Sequence, residues 1–69
     1  MQVLEHGKLS QDDFEELAES WMNEAISRIV VAKIPEITHY WKIIDDSGEV
    51  WVYAGTVETY TRFMKRRLT

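Results

Sequence analysis

The chain of 69 residues contains no cysteine. That absence excludes disulfide staples, thiolate metal sites and cysteine nucleophiles, and it fits a reducing compartment. There is one proline, Pro35, and the three glycines, Gly7, Gly48 and Gly55, stand isolated, so they cannot build a phosphate-cradling loop. No apolar run approaches the roughly 20 residues a membrane span requires. The opening MQVLEHGKLS lacks the basic start and apolar core of an export signal. A cytoplasmic location is therefore expected. Histidine is scarce too: His6 and His39 lie far apart, without HExxH or an equivalent metal-binding spacing, and no metal or cofactor is expected.

Catalytic arrangements are missing as well. No serine sits in a GxSxG elbow, and neither histidine has an evident orienting partner. The pair Asp45-Asp46 falls on a turn, where adjacent carboxylates diverge into water rather than forming a dyad. An enzyme is not expected.

Apolar residues make up 45% and charged residues 29%, a globular composition. A chain this short forms one small domain and hides only about 60% of its unfolded surface, so its core is marginal. Charge is uneven within the net −4. Asp12, Asp13, Glu15, Glu16, Glu19 and Glu24 occupy a stretch with no base; Arg62, Lys65, Arg66 and Arg67 occupy one with no acid. Helix-dipole complementarity accounts for both clusters, and a charged partner is the alternative.

Over residues 10–33 the spacing predicts one long helix, with Phe14, Leu17, Ala18, Trp21, Met22, Ala25, Ile26, Ile29 and Val30 alternating by three and four. Ser10 is its N-cap. A strict heptad fails at Glu24 and Arg28, so the helix packs within a globule rather than a coiled coil. Its β-branched end, Ile29-Val30-Val31, also suits a strand, which leaves that boundary open. Pro35 ends any helix.

Residues 37–55 read as a hairpin: ITHYWKII and EVWVYAG flank Asp45-Asp46-Ser47-Gly48, a type I turn closed by a left-handed glycine. Pairing Asp45 with Glu49 places Tyr40, Lys42, Ile44, Val50, Val52 and Ala54 on one face. His39, Trp41, Ile43, Trp51 and Tyr53 fall on the other. Thr56 caps a final helix over 56–68, whose face carries Val57, Tyr60, Met64 and Leu68 with Phe63 beside it. The opening MQVLEHG can add a short strand through Val3 and Leu4, but seven residues are too few to assign. The expected fold is α+β, a helix–hairpin–helix order (α-β-β-α). With its DxxG turn, alternating residues and following helix, this order resembles in topology the small phage head–tail joining proteins.

Function is expected in protein interaction. If both helices cover the Val52 face, then Trp41, Trp51, Tyr53, Ile43 and His39 form an open aromatic patch for a partner or a second copy. If one helix covers each face, the same residues are core. The expectation is a non-catalytic module, either a homodimer or a small adaptor or inhibitor docking on a larger host factor, a pattern that suits phage-encoded inhibitors. Asp12, Asp13, Glu16 and Glu19 would form its acidic surface. The alternative is nucleic-acid binding through Arg62, Lys65, Arg66 and Arg67 with sheet aromatics as a stacking platform. The net acidity weighs against it.

Overall fold

The Asp45 carboxylate organises the central turn. It accepts hydrogen bonds from the Ser47 amide at 2.9 Å, the Ser47 hydroxyl at 2.6 Å and the Glu49 amide at 3.0 Å. Gly48 closes the turn with a φ of 88°, a region that glycine occupies without strain. The chain then pairs in the expected register, with Ile44 opposite Val50, Ile43 opposite Trp51, Lys42 opposite Val52 and Trp41 opposite Tyr53.

The computed structural model describes residues 1–24 and 26–68. In chain order its elements are β1 (Gln2–Ser10), α1 (Gln11–Met22), β2 (Arg28–Val31), β3 (Ile37–Ile44), β4 (Val50–Gly55) and α2 (Val57–Leu68). The strands form a mixed sheet in the order β1-β3-β4-β2. β3 pairs antiparallel with both β1 and β4, while β2 lies parallel to β4. The class is α+β, but the order is β-α-β-β-β-α rather than the expected α-β-β-α. The resemblance to head–tail joining proteins rested on the simpler order and does not hold.

Two local differences produce this change. The helix expected over 10–33 stops at Met22, where the Asn23 amide bonds the Ser20 carbonyl at 3.1 Å and its side chain donates to the Glu19 carbonyl at 3.1 Å. Beyond it, the β-branched run pairs with the otherwise open edge of β4. The Ser27 amide reaches the Val50 carbonyl at 2.7 Å and the Ala32 amide reaches that of Ala54 at 2.9 Å. Sheet pairing satisfies these backbone groups where an exposed β4 edge would not. Ala25, expected on the helix's apolar face, lies outside the described residues. The second difference is that the opening residues form β1, a full edge strand against β3.

One helix covers each face of the sheet. Beneath α1, Phe14 and Trp21 are buried against Tyr40, Val52 and Ala54, with Leu9, Leu17, Ala18, Ile26, Ile29 and Ile34 packed around them. Trp21 sits edge-on to Phe14 at 6.0 Å and tilted on Tyr40 at 5.5 Å. The Tyr40 ring crosses Gly7 so closely that a Cβ there would lie 2.7 Å from it, which is why β1 carries glycine at this point. Beneath α2, Trp41, Ile43, Trp51 and Tyr53 pack with Val30, Ala32, Tyr60, Phe63 and Met64. Val57, expected on that buried face, is exposed; the Leu68 side chain lies outside those described.

Both helices begin with hydroxyl caps. Ser10 Oγ accepts from the Asp13 amide at 3.3 Å. Thr56 Oγ1 accepts from the Thr59 amide at 3.1 Å, and Thr59 Oγ1 accepts in return from the Thr56 amide at 3.0 Å, a reciprocal box.

Two outcomes test this packing. Trp21 is only 2% exposed, so Trp21→Ala should destabilise the fold by about 3–5 kcal/mol in urea unfolding. An unchanged midpoint would contradict its burial. Asp45 carries a pKa below the ordinary aspartate value, chiefly through its bond from the Ser47 side chain. A depressed folded-state pKa means its stabilisation is present above the normal aspartate range and is lost as pH falls through the lowered value. The melting temperature of Asp45→Asn should therefore fall less than that of the wild type on acidification from about pH 4 to about pH 2.

Candidate functional site

The aromatic face expected to receive a partner is closed. Trp41, Ile43, Trp51 and Tyr53 are each at most 6% exposed. Tyr60 of α2 stacks on Trp41 at 3.9 Å with 10° between the rings. Phe63 meets Trp51 edge-on at 5.5 Å and tilts over Tyr53 at 4.9 Å. The Arg67 guanidinium lies 4.6 Å from the Trp51 ring centre, a cation–π contact that roofs this end of the core. A core of this size needs its largest rings to bury enough area, and α2 supplies the cover. Of the five residues expected on that surface, only His39 keeps appreciable exposure.

The acidic set behaves differently. Asp12, Asp13, Glu16 and Glu19 are all exposed on α1, together with Glu15. Among the described residues the ion pairs are Met1 amino–Asp46, Lys42–Glu24 and Arg62–Glu58, and none engages these five carboxylates. Between α1 and β1 runs an open groove of about 300 Å³, lined by Leu9, Asp13, Glu16, Leu17 and Ser20. Its apolar walls, Leu9 and Leu17, are half-buried, and two of the unpaired carboxylates form its rim.

The basic set lies on the opposite face. Arg62, Lys65, Arg66 and Arg67 are exposed along α2. Arg67 is occupied on Trp51 and Phe63, Arg62 stands 4.0 Å from Glu58, and Lys65 and Arg66 have interactions of their own. The sheet aromatics required for base stacking lie beneath this helix rather than beside it, so the expected stacking platform is not open to a nucleic acid. A smaller hollow of about 240 Å³ lies beside α2, walled by Ala32, Tyr53, Thr59, Arg62, Phe63 and Arg66.

One feature escaped the sequence reading. The pairing of β1 with β3 brings the two histidines together, with His6 Nε2 and His39 Nδ1 3.3 Å apart. His6 also stacks on Trp41, ring centres 4.7 Å apart and 5° between planes. Burial, then the nearby positive charges of Lys8 and His6, hold the His39 pKa below the ordinary histidine value. No spacing along the chain could reveal the pair, because it depends on a strand that the opening residues were too few to assign.

Among the described residues, no group of three or more histidine or acidic side chains is placed to hold a metal ion. No described helix is long and apolar enough to cross a membrane. Comparison with family models, curated proteins and solved structures finds no match for this chain.

The closed aromatic face makes a direct prediction. Trp51→Glu should abolish the cooperative fold, read as loss of the near-ultraviolet circular dichroism signal, because an unpaired buried carboxylate is several kcal/mol unfavourable. A folded Trp51→Glu protein would place Trp51 on a surface instead.

Proposed function

We propose that this domain is a non-catalytic protein-interaction module, and that the groove between α1 and β1 receives a basic, apolar-tipped segment of a protein partner. The observation that carries this reading is the conjunction of unpaired carboxylates with an apolar recess. Asp13 and Glu16 rim a hollow whose walls are Leu9 and Leu17, so a leucine-sized side chain can enter while a flanking lysine or arginine meets the rim. The remaining carboxylates of α1 would steer the approach of a basic partner, raising the association rate more than the lifetime of the complex. Acting this way, the chain is a small adaptor or inhibitor of the protein it engages.

A synthetic amphipathic helix with leucines at three- and four-residue spacing on one face and lysines on the other provides the test. Titrated into the isotopically labelled domain, it should shift the amide resonances of Leu9, Asp13, Glu16, Leu17 and Ser20, with affinity falling as salt rises. The double reversal Glu16→Lys with Glu19→Lys, both beyond the first turn of α1, should slow association by about tenfold or more while leaving the melting temperature close to wild type. Shifts confined to α2, or binding of single-stranded oligonucleotide lost in Arg62→Glu, would move the assignment to the nucleic-acid reading.

A further inference from the structure

We infer that the contact between His6 and His39 is an acid-released latch between β1 and β3: it holds while at most one of the two rings is charged, and it parts, loosening the edge strand, when both are. His6 Nε2 and His39 Nδ1 stand 3.3 Å apart. With ring centres 5.6 Å apart and 20° between planes, the imidazoles lie edge to edge, each nitrogen aimed at the other. Whichever ring donates, one facing nitrogen must carry a proton and the other must be bare. A first added proton can take a nitrogen that points away from the contact and leave the hydrogen bond intact. A second has only the facing lone pair left. Two N–H groups would then point at one another, between like charges.

Packing holds the pair in this arrangement. Both rings lie nearly parallel to Trp41, at 5° for His6 and 18° for His39. Trp41 is itself buried and clamped by Tyr60 at 3.9 Å. His6 is exposed, so it is the ring with room to swing into water once the hydrogen bond fails. Its stacking on Trp41 is lost with it. That contact helps to fasten β1, which lies at the edge of the sheet with β3 as its neighbour. β1 in turn supplies Leu9 to the core beneath α1 and the Ser10 cap of that helix, so its loosening reaches α1.

The surroundings disfavour the second charge. From β1, Lys8 faces His39 in the ladder. β4 presents Gly55 opposite His39 and Tyr53 opposite Trp41. α2 presents Tyr60, whose phenol is held by burial above the ordinary tyrosine value and so stays uncharged at neutral pH. Glu5 and Lys42 pair on the other face of the sheet. Burial, then the positive charges of Lys8 and His6, hold the His39 pKa below the ordinary histidine value. A depressed folded-state pKa means that its stabilisation is present above the ordinary histidine range and is lost as pH falls through the lowered value.

The chain has two histidines, so nuclear magnetic resonance can follow each ring separately from about pH 8 to about pH 5. In the wild type the rings should titrate in two coupled steps. Over the lower step, hydrogen-exchange protection of the β1 amides, normalised to intrinsic rates, should fall about threefold or more relative to the β3–β4 amides. His6→Gln should raise the His39 midpoint toward the ordinary value and hold β1 protection level over the same range, with the wild-type near-ultraviolet circular dichroism spectrum. Lys8→Ala should raise the His39 midpoint while keeping the two coupled steps. Independent titration of the two rings in the wild type, or β1 protection that does not change across the lower step, would overturn the inference. So would an equal loss of protection in His6→Gln, which shares every other titrating group.

Discussion

The register of the β3–β4 hairpin is the constraint on which the rest of the molecule depends. Once Asp45 and Gly48 fix the turn, alternation sends Tyr40, Val52 and Ala54 to one side and Trp41, Ile43, Trp51 and Tyr53 to the other. Neither side is polar enough to face water. A two-stranded ribbon that is apolar on both faces needs a cover on each, and the chain carries two amphipathic helices to provide it. The three-layer arrangement follows from that arithmetic, as does the burial of the rings that would otherwise have formed an open patch. A one-residue slip in the hairpin would exchange the two faces and leave both helices on the wrong partners.

The hairpin, its turn and both helix N-caps were legible in the sequence because each depends on residues within a few positions of one another. What was not legible depends on pairing at a distance. Ile29, Val30 and Val31 fit either the end of a helix or a strand by local preference. The free edge of β4, some twenty residues further on, decides for the strand. β1 was legible only as a candidate short strand through Val3 and Leu4, for a different reason. As an edge strand it turns only Gly7 and Leu9 partly inward, so the alternation that marks a half-buried strand is missing from it. With β1 unassigned, the meeting of His6 and His39 could not be anticipated. The aromatic face was open to both readings because core and interface ask for the same side chains. Only the placement of α2 distinguishes them.

A rule local to each helix becomes a property of the whole domain through this layering. Acids gather in the first turn of α1 and bases in the last turn of α2, where each complements the helix dipole. Because the helices occupy opposite faces of the sheet, the same placement gives one acidic and one basic side to the molecule. An approaching charged protein is therefore oriented before contact, although the net charge of −4 is modest.

The sheet edges narrow the remaining choices for recognition. β1 presents a long outer edge, but a bulge between Val3 and Glu5 interrupts its ladder, and Glu5 and Lys8 place charges along it. These are devices that discourage strand addition by another chain. β2 offers only Arg28–Val31 before the chain leaves the sheet toward Pro35, too short an edge to support extended pairing. With both edges blunted and both sheet faces covered, the surfaces left for the protein-interaction role proposed above are the outer faces of the helices and the grooves beside them. Of those, the recess along α1 joins an apolar floor to carboxylates without internal partners, whereas the basic side of α2 is partly committed to its own packing through Arg67. For that proposed role the geometry leaves the acidic side as the less committed of the two.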